Sequence, residues 1–114
     1  MSREASVLIH WKGVESEEEV HDHLAERCHH IAAEFPETSH YELSIEPDGR
    51  DLQCHGHVNG KRTQVAAHSH GLPTARQNAD SVLEKLEREL RRDHDKRIFS
   101  QRRRAQKGNP KRVF

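Results

Sequence analysis

The sequence predicts an α+β protein, a two-layer sandwich in which a four-stranded sheet carries two helices on one face. Apolar residues alternate with polar ones along four short segments, as expected of strands with one buried side. They recur every three or four residues along two longer segments, as expected of amphipathic helices. The segments follow the order β-α-β-β-β-α. Because each helix has a single apolar stripe, both are expected to cover the same face of the sheet.

The first strand and the first helix come before Pro36. Residues 6–12 form the strand, and its inward side chains are Val7, Ile9 and Trp11. Ser16 and Glu19 have the spacing of a capping box, which predicts the start of the helix. The apolar stripe of the helix is Val20, Leu24, Cys28, Ile31 and Phe35. Pro36 ends it, because proline cannot donate a backbone hydrogen bond.

Three strands follow, joined by two turns. The second strand turns Tyr41, Leu43 and Ile45 inward, and Pro47-Asp48-Gly49 predicts the turn after it. The inward positions of the third strand are Leu52, Cys54, Gly56 and Val58. Asn59-Gly60 predicts a type I′ hairpin turn, because both residues tolerate positive φ. That turn would place Val58 opposite Lys61, His57 opposite Arg62 and His55 opposite Gln64. The inward side chains of the fourth strand are Thr63, Val65 and Ala67.

The last helix begins after Gly71 and Pro73, which break the fourth strand. Its apolar stripe is Ala75, Ala79, Val82, Leu83, Leu86 and Leu90. We predict one α/β domain over residues 1–99. Residues 100–114, which contain three consecutive arginines, are predicted to form a basic tail that is disordered unless bound.

Composition limits the class of protein. Hydrophobic residues make up 32% of the chain and charged residues 33%, so most apolar side chains must be inside for the domain to fold. Cys28 and Cys54 form no CxxC pair and occupy inward positions, which predicts free, buried thiols in a reducing compartment. No stretch is long and apolar enough for a membrane span, and no signal peptide is visible. We therefore expect a cytoplasmic protein.

Charge is divided unequally along the chain. Residues 1–60 carry 13 acidic against 4 basic side chains, and residues 61–114 carry 6 against 15. Such asymmetry indicates a polyanionic partner for the basic half. At 100° per residue, one stripe beside the apolar face of the last helix collects Lys85, Arg88, Arg92 and Lys96. A line of cations next to a basic tail suits a phosphate backbone. The alternative is a solvated helix face with ion pairs such as Glu84–Arg88.

The chain has eleven histidines, and several should share the open face of the sheet. This face is predicted to carry His55, His57, His68, Gln53, Arg62 and Gln64, with His10 and His40 as further candidates. His-x-His spacing on a strand could hold a metal, but no fixed spacing of carboxylates and histidines supports such a site. A metal-responsive or protein-interaction module thus stays an alternative, and we expect no cofactor. No activated nucleophile, phosphate loop or carboxylate pair points to an enzyme.

The order of elements and the last strand and helix resemble one known family. The segment runs Val65-Ala-Ala-His-Ser-His-Gly71, and the helix contains Lys85-Leu-Glu-Arg-Glu-Leu90 and Asp93-His-Asp-Lys96. Over about residues 5–98 this is similar to the ribosome hibernation-promoting factor and ribosome-associated inhibitor A family, also called the sigma-54 modulation protein family. The first helix departs from the family pattern, since it is acidic except for Arg27 where the family usually carries basic residues.

The resemblance implies a short-form, monomeric, non-enzymatic factor that binds the small ribosomal subunit, inhibits translation and protects idle ribosomes. It implies no self-driven pairing of ribosomes, which needs the extra domain of the long members. The residues expected to contact ribosomal RNA are Lys85, Arg88, Arg92, Lys96, Arg102, Arg103 and Arg104. A general double-stranded RNA-binding domain is the second hypothesis, because helices on one face of a sheet also suit that task.

Overall fold

The computed structural model describes residues 5–107, and the side chains of residues 5–98. Its elements are β1 (Ser6–Trp11), α1 (Glu18–Glu34), β2 (Thr38–Asp48), β3 (Asp51–Gly60), β4 (Thr63–Leu72) and α2 (Ala75–Lys107). The predicted α+β class and the order β-α-β-β-β-α are confirmed. Within the described part of the chain, no helix combines the length and the apolar character needed to cross a membrane.

The four strands form one mixed sheet in the order β1-β2-β3-β4. β1 pairs with β2 in parallel, because α1 returns the chain to the same end of the sheet before β2 begins. The other neighbours pair antiparallel through tight turns. The first of these turns contains Gly49, whose φ of 65° favours glycine.

Both helices lie on one face of this sheet. α1 contacts β1 and β2, while α2 contacts β3 and β4. All the predicted stripe residues of both helices are buried, and they meet Tyr41, Leu43, Ile45, Cys54 and Val58 from the sheet. Gly56 lets α2 approach closely, since a Cβ there would lie 2.6 Å from Val82 Cγ1. The opposite face of the sheet is not covered by either helix.

The β3–β4 turn differs from the prediction. Gly60 pairs with Thr63, so the turn residues are Lys61 and Arg62, and Arg62 has a φ of 59°. Gly60 stays in the strand because it also pairs with Thr38 of β2, so closely that a Cβ would lie 2.2 Å from the Glu37 carbonyl oxygen. Val58 therefore faces Val65 and His57 faces Ala66. The predicted pairing differs from the observed one by four residues along β4. Because side chains alternate between the two faces, an even shift keeps the same residues of β4 inward, and the predicted inward face is confirmed.

The N-terminal capping of the two helices differs from what the sequence predicts. The capping box predicted at Ser16 is wrong: α1 has Glu17 as its N-cap, without a side-chain cap hydrogen bond. α2 does have a capping box. The backbone N–H of Gln77 donates to Thr74 Oγ1 at 3.1 Å, and the backbone N–H of Thr74 donates to the side-chain oxygen Gln77 Oε1 at 3.2 Å. Glu18 and Glu19 still occupy the first turn of α1, where they complement the helix dipole.

α2 continues past Ile98 through residues 100–107, which the sequence predicts to belong to a basic tail. The division of the chain at residue 99 stays a prediction. Residues 100–107 contain neither proline nor glycine, and arginine, glutamine, alanine and lysine are all good helix formers. Residues 108–114 lie outside the described residues. A separate functional role for residues 100–114 stays a prediction.

The two cysteines are free and buried, as predicted. Burial raises the pKa of Cys28 and of Cys54 to about 12, so both thiols stay protonated near neutral pH. We expect neither thiol to react with a disulfide reagent in the folded protein at mildly alkaline pH, and both to react in denaturant. Absorbance of the released thiolate measures this. Rapid stoichiometric labelling of the native protein would contradict the described packing.

Candidate nucleic-acid interface

The four predicted cations of α2 lie together on the exposed flank of the helix. Lys85, Arg88, Arg92 and Lys96 are all exposed, and we call them the cation stripe. Arg88, Arg92 and Lys96 line one shallow depression together with Arg91 and Asp95. Lys85 marks which flank this is, because its Nζ donates a 2.7 Å hydrogen bond to the His68 carbonyl of β4. The stripe therefore begins on the β4 side of α2 at Lys85 and continues along its exposed surface.

Most of the cation stripe is not neutralised by protein carboxylates. Among the described side chains, no carboxylate oxygen lies within 4.0 Å of the charged nitrogens of Lys85, Arg88 or Lys96. The Glu84–Arg88 pair that helical spacing allows does not form there. Arg92 has one partner, with its Nη1 3.3 Å from Glu89 Oε1, and both side chains are about half exposed. Such an exposed pair contributes little energy and can be exchanged for a phosphate.

The other described arginines of α2, which are Arg76, Arg91 and Arg97, pair with carboxylates of the fold, and further ion pairs join α2 to α1. On the α1 side, Asp80 accepts from Arg27 at 3.0 Å and lies 2.9 Å from His23 Nε2. Further along the same seam, Arg91 pairs with Glu34 of α1 at 2.5 Å and with Glu87 at 3.2 Å. The hydrogen bond to Glu34, followed by that to Glu87, raises the pKa of Arg91. These pairs join α1 to α2 and explain how an acidic first helix sits beside a basic second one.

The open sheet face is rich in histidine, and the expected members His10 and His40 do lie on it. Glu42 of β2 is at the centre of one group: His10 Nε2 lies 3.1 Å from it, His40 Nε2 3.0 Å and His57 Nε2 3.8 Å. The hydrogen bond with His40 is the main reason that the pKa of Glu42 is lowered. A second group stacks imidazole rings, with ring centroids of His55 and His68 4.4 Å apart. Arg62, predicted on this face opposite His57, is instead in the β3–β4 turn.

The pKa of His68 is lowered by its surroundings on the open sheet face. Partial desolvation of the exposed ring, followed by repulsion from His55, His70 and Lys85, lowers the pKa of His68 from 6.5. The unfolded chain then binds more protons than the folded one just below pH 6.5, so folding should weaken as pH falls through that window. We expect the His68 ring signals to shift with a midpoint below 6.5 in an NMR titration, and His55→Ala to raise this midpoint. A midpoint above 6.5 would contradict the described surroundings.

Solved structures of other proteins share this fold, including the following two. A ribosomal subunit interface protein from Coxiella burnetii matches with a TM-score of 0.71 at 14% identity, over 79% of this chain and 98% of its own. The N-terminal domain of Protein Y from Thermus thermophilus matches with a TM-score of 0.65 at 12% identity, over 78% of this chain and 97% of its own. No protein-family model and no curated protein sequence matches the chain. The resemblance predicted from the residues is thus supported at the level of the fold.

The β3–β4 turn, which carries two basic residues, lies against α2, and its position was not predicted from the sequence. Arg97 donates hydrogen bonds to the Arg62 carbonyl and to the Thr63 hydroxyl, which fixes the β3–β4 turn against the helix. The exposed side chains of Lys61 and Arg62 therefore lie near the C-terminal half of α2. The mistaken turn assignment concealed this. The side chains of Arg102, Arg103 and Arg104 lie outside the described ones, and their RNA contacts stay predictions.

Proposed function

We propose that this protein is a ribosome-associated factor that binds ribosomal RNA of the small subunit through the cation stripe and inhibits translation on idle ribosomes. The observation that carries the proposal is the stripe itself, four exposed cations on one flank of a helix that have a single carboxylate partner among the side chains the structure describes. At 1.5 Å per residue, Lys85 and Lys96 are about 16 Å apart along the helix, which spans several phosphates of a nucleic-acid strand.

The fold supports the ribosome as the source of that RNA. One structural neighbour is described as a ribosomal subunit interface protein, and it is matched over nearly its whole length. A protein at such an interface meets RNA surfaces, where lysine and arginine bind phosphate. Glu34 of α1 pairs with Arg91 of α2, and Asp80 of α2 pairs with His23 and Arg27 of α1, so the charges along the seam between the helices are matched within the fold. Neither neighbour is described as an enzyme, and we propose a binding role.

Sedimentation with purified ribosomal subunits tests the proposal. We expect the protein to pellet with small subunits at low salt, and to be released as salt rises. If all four stripe cations contact phosphates, the logarithm of the binding constant should fall with the logarithm of salt concentration with a slope of about −3 to −4. Affinity that changes little with salt would contradict binding through these cations.

A competition experiment separates the proposal from a general affinity for duplex RNA. Labelled protein bound to small subunits is challenged with plain duplex RNA at equal phosphate concentration. We expect the subunits to retain the protein, because a folded RNA and protein surface offers a specific arrangement of phosphates. Equal competition by the duplex would favour the general double-stranded RNA binder instead.

A further inference from the structure

The group around Glu42 on the open sheet face has the composition of a metal site. Glu42 and His57 are direct cross-strand partners on β2 and β3, and His40 lies two residues before Glu42 on the same face of β2. One ligand atom from each of these three side chains can be chosen so that all three lie within 4.8 Å of one another. Two imidazole nitrogens and one carboxylate oxygen form a ligand set used by zinc and related ions.

From this geometry we infer that His40, Glu42 and His57 bind a divalent transition-metal ion of the zinc class. Imidazole favours such ions, whereas magnesium and calcium prefer oxygen ligands throughout. His40 and His57 currently direct Nε2 toward the same carboxylate oxygen, Glu42 Oε1. An ion placed between these three atoms would replace the contacts of both rings with Oε1. It would be bound by three side chains, which leaves one tetrahedral position for water.

The surroundings favour this position over a chance surface cluster. His10 of β1 contacts the other carboxylate oxygen, Glu42 Oε2, at 3.1 Å and so orients the proposed ligand from outside. The pairing of β2 with β3 is irregular between Thr38 and His40, and such an irregularity can redirect a side chain. The side chains of His40 and Glu42 are 28% and 29% exposed, so they are held by the sheet while an ion can still reach them.

The stacked histidines on the same face serve as an internal contrast. His55 and His68 lie with their rings nearly parallel, at an interplanar angle of 26°, which directs ring faces rather than nitrogen lone pairs at each other. Of these two rings, His55 lies 3.5 Å from Glu46, and that carboxylate also accepts a hydrogen bond from Gln53 at 3.2 Å. We therefore place the ion at the Glu42 group and not at the stack. The site lies on the sheet face opposite the helices, so the inference is independent of the cation stripe and of ribosome binding.

Calorimetry and thermal melting of untagged, metal-free protein with Zn²⁺ alone test the inference. We expect saturation at one ion per chain, and a melting temperature higher by about 5–15 °C when Zn²⁺ is present at about 100 times its dissociation constant. The double variant His40→Ala/His57→Ala should lose both effects. The matched double variant His55→Ala/His68→Ala removes the same number of imidazoles from the same face and should keep both.

A second variant guards against a folding defect in the first. Glu42→Gln keeps the shape of the side chain but removes the anionic ligand, and it should weaken Zn²⁺ binding while circular dichroism shows an unchanged metal-free fold. The inference is overturned if wild-type protein shows neither heat nor a melting shift. It is equally overturned if His40→Ala/His57→Ala retains stoichiometric binding, or if both double variants lose it to the same extent.

Discussion

The double variant Arg88→Glu/Arg92→Glu is expected to bind small ribosomal subunits about 10- to 100-fold more weakly than the wild type. Both side chains are exposed on the cation stripe and face away from the core, so reversing their charges replaces attraction to phosphate by repulsion. Stability should change little, because Arg88 has no carboxylate partner among the described side chains and Arg92 has only the exposed Glu89. Quantitative sedimentation with labelled protein measures the affinity.

Lys12→Glu/Arg50→Glu is the matched control for this variant. It makes the same change of net charge with two exposed cations that no described carboxylate contacts. Lys12 follows β1 and Arg50 lies in the β2–β3 turn, so both are far along the sheet from the β3–β4 turn and the C-terminal half of α2. We expect the control to bind nearly as well as the wild type. Equal losses in both double variants would mean that only net charge matters, and would contradict a localised interface.

Leu86→Ala is expected to lower the free energy of unfolding by about 2–5 kcal/mol. Leu86 is 1% exposed and lies where α2 crosses β3. Gly56 lies directly beneath Leu86, since a Cβ at Gly56 would come within 3.1 Å of Leu86 Cδ1. Because glycine has no side chain, it cannot fill the space that alanine would leave. The cavity should therefore persist, which places the cost in the upper part of that range. Urea unfolding followed by circular dichroism measures the change.

Leu8→Ala provides the comparison within the same residue type. Leu8 lies on the open face of β1 and is 46% exposed, so its truncation leaves no closed cavity. We expect a change within about 0.5 kcal/mol. Similar losses for Leu8→Ala and Leu86→Ala would mean that the helix layer does not cover the face of the sheet that we describe.

Much of the fold follows from local spacing in the sequence. The stripe from Val20 to Phe35 and the stripe from Ala75 to Leu90 are buried as a helical period requires, and the inward residues of β2 and β3 follow strict alternation. The β3–β4 turn was mistaken because Asn59-Gly60 satisfies turn geometry locally. What keeps Gly60 in the strand is contact with Glu37 and Thr38, which are more than 20 residues away and have no local signature.

The two candidate sites differ in how far sequence could predict them. The cation stripe depends on one helix, so the 100° rotation per residue places Lys85 to Lys96 on one flank and the structure agrees. The Glu42 group depends on the register of three strands. Alternation along the strands predicts the histidines on the open face, but it carries no information about the register that brings rings from β1, β2 and β3 to one carboxylate.

Fractionation of a lysate from starved cells on a sucrose gradient is the most direct measurement of the central claim, that this protein associates with the small ribosomal subunit through its basic helix. Fractions are probed with an antibody at low and at high salt. The protein should sediment with the fractions that contain small subunits at low salt and move to the top of the gradient at high salt. Its absence from every ribosomal fraction at low salt would contradict the claim.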